Sequence, residues 1–269
     1  MNRYIILSDL DGTLLNNKSR LTHKTKGYIR GLRAKGHTFV IATGRPYQGA
    51  QKYIKALKPN IAVCDNGGSI YFIKEKRNIF RTINKELFIS YVKEIRGYLL
   101  GAISQDLNNI CIENDSIVPD WCKHVDKTRI VRYGKIDEII NHEPINPCLF
   151  INPIYFNKCK EILAKDKYKS IGFRSWSSTY YINIELFSLN GTKGKALKFI
   201  HSELSIPLEY SIAIGDERND IELIEASANG IAMINGKEEL KEIAKYISDF
   251  DNNHNGAIKA IDKILKGRV

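Results

Sequence analysis

The stretch YIILSDLDGTLL, residues 4–15, carries an unbroken apolar run at 4–7 straight into Asp9, Leu10, Asp11 and Gly12. A short apolar run without alternation is the pattern of a strand buried on both faces, as in a parallel sheet. Along extended chain, side chains two residues apart point the same way, so Asp9 and Asp11 share one side. Gly12 then lets the backbone turn sharply. Two adjacent carboxylates repel, and both stay ionised near neutral pH only if a cation lies beside them, which implies a hard divalent ion. The same letters also suit a plain Asp-Gly hairpin turn. Only the rest of the chain can decide between the two.

Downstream, strand-like runs alternate with amphipathic helical patterns at both ends of the chain, which predicts an α/β fold with a mainly parallel, Rossmann-like sheet. Strands are expected at residues 39–42 and 61–64, with Thr22 capping a helix before Tyr28, Ile29 and Leu32. Two extended runs within residues 69–82 read as an edge hairpin. A different, α+β pattern follows. Asn84 can cap a helix whose apolar face holds Leu87, Phe88, Tyr91, Val92 and Ile95, and short strands are expected at 101–104, 109–113, 128–132, 148–151 and 181–186. After Leu189 the first pattern returns, with a helix at 193–204 and strands at 211–214 and 230–233. The expected organisation is a discontinuous core of residues 1–83 and 188–269 with an inserted domain of residues 84–187, the crossings lying near Ile83 and Phe187.

In an open parallel sheet, ligands bind beyond the carboxyl ends of the strands. The second predicted strand ends in Thr43, Gly44 and Arg45, where a hydroxyl can donate to an oxyanion, although a helix cap with a loop glycine would read the same. The third ends in Asp65, Asn66, Gly67 and Gly68, which also suits a tight turn. Lys193 opens a predicted helix, where the dipole and free N–H groups already favour an anion. Lys195 is its rival, and spacing does not choose between them. The strand at 211–214 runs into Gly215, Asp216, Glu217, Arg218, Asn219 and Asp220, which either face the strand tips together or cap the next helix.

Taken in order, Asp9-Leu10-Asp11-Gly12-Thr13, Thr43-Gly44-Arg45, Lys193-Gly194 and Gly215-Asp216 with Asn219-Asp220 resemble the four motifs of the haloacid dehalogenase superfamily. More narrowly they resemble its Cof-type sugar-phosphatase branch, whose αβ cap is inserted between the second and third motifs. The resemblance runs over nearly the whole chain. It implies a phosphatase acting on a small phosphorylated metabolite, with Asp9 as nucleophile and Asp11 as general acid and base. It implies Mg²⁺ held by the Asp9 carboxylate, the Asp11 main-chain carbonyl and Asp216. Thr43, Lys193 and Asn219 would grip the phosphoryl group, Gly44, Arg45 and Asn66 would line the substrate, and Asp220 would stand behind them. Lys193 is thereby preferred to Lys195. The cap would set specificity, and the stretch from Arg174 to Ser178 resembles one found where cap and core meet. Two departures are visible: Met233-Ile234-Asn235-Gly236 stands where the branch reads Met-Gly-Asn-Ala, and Asn190 stands where a glycine is common, which the tolerance of Asn for left-handed backbone allows.

The chemistry suits these residues. Phosphate monoesters hydrolyse very slowly unaided, and negative charge spreads over the phosphoryl oxygens in the transition state, so cationic, amide and hydroxyl donors are needed. Two other readings share the residues: a phosphomutase or phosphotransferase using the same aspartyl-phosphate, and a sugar-phosphate-binding protein without catalysis. The acid at position 11 argues against the last, because binding alone does not require it.

The remaining 269-residue composition narrows the classes. Forty-one Lys and Arg against 30 Asp and Glu give a net charge of +11, but the basic residues are spread along the chain with no recognition motif, so a field attracting anionic substrates is expected rather than nucleic-acid binding. No apolar run is long enough to span a bilayer, and the N-terminus reads as a strand rather than a secretion signal, which leads us to expect a cytoplasmic protein without membrane partners. A monomer is favoured. Five scattered cysteines suggest neither a disulfide framework nor a zinc site and are expected to be small buried side chains.

Overall fold

The computed structural model describes residues 3–123 and 129–267. Strands β1 (Ile5–Ser8), β2 (Thr38–Ala42), β3 (Ile61–Cys64), β4 (Ser69–Phe72) and β5 (Arg77–Phe80) come first in the chain. They are followed by β6 (Leu99–Gln105), β7 (Asn109–Glu113), β8 (Ile130–Tyr133), β9 (Cys148–Ile151), β10 (Ile171–Ser177) and β11 (Ile182–Ser188), and then by β12 (Ser211–Gly215), β13 (Asn229–Ala232) and β14 (Tyr246–Ile247). The chain divides into two compact units, Met1–Ile79 with Thr192–Val269, and Phe80–Gly191.

The first unit carries an eight-stranded sheet in the order β14-β13-β12-β1-β2-β3-β4-β5. From β14 to β3 every neighbouring pair is parallel, and β4 turns back antiparallel on β3. Apolar residues on both faces of β1 to β3 and β12 explain this arrangement, since a sheet with helices on each side buries every side chain. On one face Ile5, Leu7, Val40, Val63 and Ala213 pack with Leu197 and Ile200 of the helix Lys193–Glu203 and Leu223 of the helix Ile221–Ala226. On the other, Ile6, Phe39, Ile41, Ala62, Ile212 and Ile214 are equally buried. Thr22 caps the helix His23–Ala34, its hydroxyl accepting from the Thr25 N–H at 3.0 Å.

The second unit holds a six-stranded sheet in the order β10-β11-β9-β6-β7-β8, antiparallel except between β7 and β8. Alternation separates its faces. Ala102, Cys111, Leu149, Ile151, Ile184 and Leu186 face Phe88, Tyr91 and Val92 of the helix Lys85–Glu94, whereas Ile103, Ile110, Ile112, Cys148 and Phe150 form a separate cluster with Val118 and Cys122. Asn84 caps that helix through the Leu87 N–H at 3.0 Å.

Several expectations change. The crossings fall at Ile79/Phe80 and Gly191/Thr192 rather than at Ile83 and Phe187, because the Ile83 N–H bonds the Pro144 carbonyl at 2.7 Å and its side chain joins the second unit's core. Strand β10 was not expected as a strand: it is largely exposed, so its residues lack the apolar pattern that marks a buried strand. Asn190 does not take up left-handed backbone; a turn closed by the Gly191 N–H on Ser188 does the work instead. The strand expected at 128–132 begins at Ile130, and Thr128 lies outside the described residues. All five cysteines are free and buried. Among the described residues no helix is long and apolar enough to cross a membrane.

Candidate active site

The parallel strands of the first unit deliver the motif residues to one end of the sheet. Asp9 follows β1 immediately, tied by its N–H to the Ile214 carbonyl of β12 at 3.0 Å. Thr43 follows β2, Asp65 follows β3, and Asp216 follows β12. Lys193 opens the helix Lys193–Glu203 behind its cap Thr192, whose hydroxyl accepts from the Lys195 N–H at 3.2 Å. Gly67, at φ +110°, lies so close to this helix start that a Cβ would come within 2.2 Å of the Thr192 carbonyl carbon. The turn after β3 therefore fits against the helix only with glycine there.

Lys193 is fully buried, and its ammonium donates to Asp9 Oδ1 at 2.8 Å and to Asp220 Oδ1 at 2.6 Å. Asp220 is itself fully buried, and its other oxygen accepts from the backbone N–H groups of Asp216 at 3.1 Å and Glu217 at 3.2 Å. Lys195 is exposed. The tertiary structure thus separates the two lysines that spacing left equivalent.

Asp9, Asp216 and Asp220 bring carboxylate oxygens within 4.8 Å of one another. Three carboxylates against one ammonium leave two negative charges uncompensated in a mostly buried cluster. Burial accordingly drives the Asp9 carboxyl well above its usual range, with Lys193 opposing and Asp220 and Asp216 adding to the rise. Burial likewise pushes Asp216 up to about 7, against the Thr13 hydroxyl that bonds it at 2.8 Å. This donor set fits a divalent, oxygen-preferring cation: such an ion restores neutrality and keeps both acids ionised. Asp220 is already satisfied by Lys193 and two N–H groups, which leaves Asp9 and Asp216 as the carboxylates that could face such an ion.

The other motif residues are nearby but engaged. Asp11 is half-exposed and accepts two bonds from Arg45, from Nε at 2.6 Å and Nη2 at 2.7 Å. Arg45 is therefore committed to Asp11 here. Thr43 is buried, with its Oγ1 accepting from the Arg45 N–H at 3.2 Å. Asn66 carries φ +56°, its N–H bonds the Thr43 carbonyl at 3.0 Å, and its side-chain oxygen accepts from Asn219 Nδ2 at 2.7 Å. A Cβ on Gly44 would stand 3.0 Å from that same oxygen. The amides of Asn66 and Asn219 thus meet beside the tips of β2 and β12.

A family model described as haloacid dehalogenase-like hydrolase matches residues 6–261. The chain belongs to the haloacid dehalogenase-like hydrolases. The 5-amino-6-(5-phospho-D-ribitylamino)uracil phosphatase YitU of Bacillus subtilis is 25% identical over 252 residues, covering 90% of each chain. A haloacid dehalogenase-like hydrolase from Bacteroides thetaiotaomicron superposes with a TM-score of 0.80 at 24% identity, covering 98% of this chain and 100% of its own. The subclass IIB sugar phosphatase BT4131 superposes with a TM-score of 0.75 at 22% identity, over 99% of this chain and 100% of its own.

In this haloacid dehalogenase-like hydrolase, sequence reading gave Gly12 only a turn and gave Thr13, Asn235 and Lys237 no role. Thr13 orients Asp216, and Gly12, at φ +72°, makes room for it, since a Cβ there would lie 2.0 Å from Asp216 Oδ2. Asn235 donates to the Gly12 carbonyl at 2.8 Å, and the Lys237 N–H bonds the Asp216 carbonyl at 2.9 Å. The loop with the unusual Ile234 therefore clasps the Gly12 and Asp216 side of the cluster, while Ile234 itself points outward, 47% exposed. Its bulk meets no packing obstacle. Thr13 was detectable from its place after Gly12 in the first motif. Asn235 lies in the stretch that departs from the branch wording, but nothing local pointed to its bond with Gly12.

Proposed function

We propose that this phosphatase releases inorganic phosphate from a small phosphorylated metabolite, a sugar phosphate or similar monoester, through a phospho-aspartate on Asp9. The observation that carries the reading is the buried relay of Asp9, Lys193 and Asp220 with Asp216 alongside. Lys193 holds one Asp9 oxygen, orienting the carboxylate, and leaves the other to attack phosphorus. As the Asp9–phosphorus bond forms, the ester P–O bond breaks, and Asp11 gives its proton to the departing alkoxide. Asp11 then takes a proton from water as that water attacks the phospho-aspartate, which frees phosphate and regenerates Asp9.

The Asp11–Arg45 pair has to open for this exchange. Both side chains are partly exposed, at 49% and 29%, and an exposed pair of this kind is worth at most about 1 kcal/mol. Thr43, Asn219 and Lys193 supply the hydroxyl, amide and ammonium donors that a phosphoryl group requires, with Asn66 fixing Asn219. Asp9, Asp216 and the Asp11 carbonyl would hold Mg²⁺, which when bound supplies positive charge to the phosphoryl oxygens. We assign choice of the organic group to the second unit. The sugar-phosphate class draws support from YitU, named for a phosphoribityl substrate, and from the sugar phosphatase BT4131.

The test is phosphate release from a panel of sugar and polyol phosphates, with and without Mg²⁺, by the native protein and by Asp9→Asn. Loss of release in the variant and on chelation is expected. Unchanged release by Asp9→Asn would falsify the covalent route, and conversion of one sugar phosphate into another without free phosphate would make the protein a mutase.

A further inference from the structure

A cavity of about 550 Å³ opens at the other end of the core sheet, where β2 and β3 begin and β4 ends. Thr38, Asn60 and Ile61 line it, whereas Asp9, Thr43 and Asp216 stand past the opposite strand tips. Five residues of β2 at the usual strand rise put roughly 15 Å between the two ends. This cavity is not the catalytic cluster.

Its rim carries Arg3, Arg33, Lys55, Lys58 and Lys74, and a single acid, Glu75. Among the described residues none of these five cations makes an ion pair. The two guanidinium groups are held by neutral acceptors, Arg3 by the Thr38 hydroxyl at 3.0 Å and Arg33 by the Asn60 side-chain oxygen at 3.4 Å. That Asn60 oxygen is anchored by the Phe39 N–H at 3.0 Å. The rim therefore presents unneutralised, largely exposed positive charge at the cavity mouth, which attracts an anion.

Lys58 adds an independent sign. It sits at φ 49°, ψ 54° at the end of the helix Tyr47–Leu57, directly before Pro59. Left-handed backbone is unfavourable for a lysine, and the residue before a proline prefers extended backbone. Glycine or asparagine would relieve the first cost, yet a lysine lines the cavity here. The walls are apolar: Phe72 and Ile54 are buried, and Tyr47, whose ring packs on Tyr71 at 4.3 Å between centroids, reaches the cavity. A cationic rim over aromatic and aliphatic walls, in a volume suited to a small ligand, selects an anion with an organic body.

We propose that this cavity is a second binding site, for a metabolite of the nucleoside diphosphate class, with its phosphates on the Arg3, Arg33, Lys55, Lys58 and Lys74 rim and its planar body against Tyr47. The probe is ADP, titrated calorimetrically into the whole protein in EDTA at physiological salt. Saturable binding of one equivalent is expected. The triple variant Lys55→Ala, Lys58→Asn, Lys74→Ala should weaken it at least tenfold while hydrolysis of a simple phosphate ester is unchanged. The pair Thr43→Ala, Asn219→Ala should leave ADP binding intact, and pyrophosphate should bind more weakly than ADP. The proposal is overturned if binding is not saturable, or if the Thr43 and Asn219 pair abolishes it. It is equally overturned if pyrophosphate matches ADP, or if removing three exposed charges elsewhere, Lys24, Lys158 and Lys169, weakens binding as much.

Discussion

Replacing Lys193 by methionine keeps the volume of the side chain and removes its charge from the place where the fold depends on it most. The ammonium lies 2.8 Å from Asp9 and 2.6 Å from Asp220, with no exposed surface. At such separations each attraction is worth about 4 kcal/mol or more at an effective dielectric constant near 20, offset by the cost of burying the charges. Deleting one member of a buried ion pair has a net cost of about 3–5 kcal/mol, because the partner stays behind uncompensated. We expect urea unfolding of Lys193→Met to show a loss of that size. Turnover should drop about 10³-fold or more, the equivalent of about 4 kcal/mol of lost phosphoryl stabilisation. The double variant Lys193→Met, Asp220→Asn separates the two effects: neutralising one of the two stranded carboxylates should recover part of the stability and none of the activity. Lys195→Met, changing an exposed residue, should shift stability by less than about 0.5 kcal/mol. Turnover of Lys193→Met within tenfold of native, or activity returning with stability in the double variant, would refute the reasoning.

Gly12→Ala drives a Cβ to 2.0 Å from Asp216 Oδ2 at a backbone φ of +72°, so weaker Mg²⁺ activation and a stability loss of about 1–2 kcal/mol are expected, read from Mg²⁺ titrations and urea melts. Thr13→Val removes the 2.8 Å bond to Asp216 and should raise the Mg²⁺ concentration for half-activation several-fold with little change at saturation. Without metal, Asp216 is raised from its ordinary 3.8 to about 7, so its folded state holds a proton that the unfolded chain has released. That contribution is fully present below pH 3.8 and is lost as pH rises through 7; chelated protein should therefore lose stability across this window, and added Mg²⁺ should restore it at pH 8 more than at pH 6. A flat pH dependence of the chelated protein would contradict this.

The resemblance to the family rested on four short motifs, and they were legible because each is a local matter: an apolar run, then acids, glycine or a hydroxyl where a strand must end. The alternation of strand and helix patterns likewise determined a parallel core, since strands buried on both faces cannot hide their composition. Thr22 and Asn84 as helix caps were readable for the same reason. What the sequence could not decide were relations between distant segments. Whether Lys193 or Lys195 turned inward depended on the Thr192 cap and on Gly67 admitting the helix start beside β3. That Arg45 grips Asp11, that Asn66 meets Asn219 across 153 positions, and that Asn235 reaches back to the Gly12 carbonyl follow from strand order alone. Strand β10 stayed hidden because exposed residues carry no periodic apolar signal. Local composition fixes what each segment is, while the distances that turn three aspartates and a lysine into one charged cluster exist only once the sheet has ordered β12, β1 and β2 side by side.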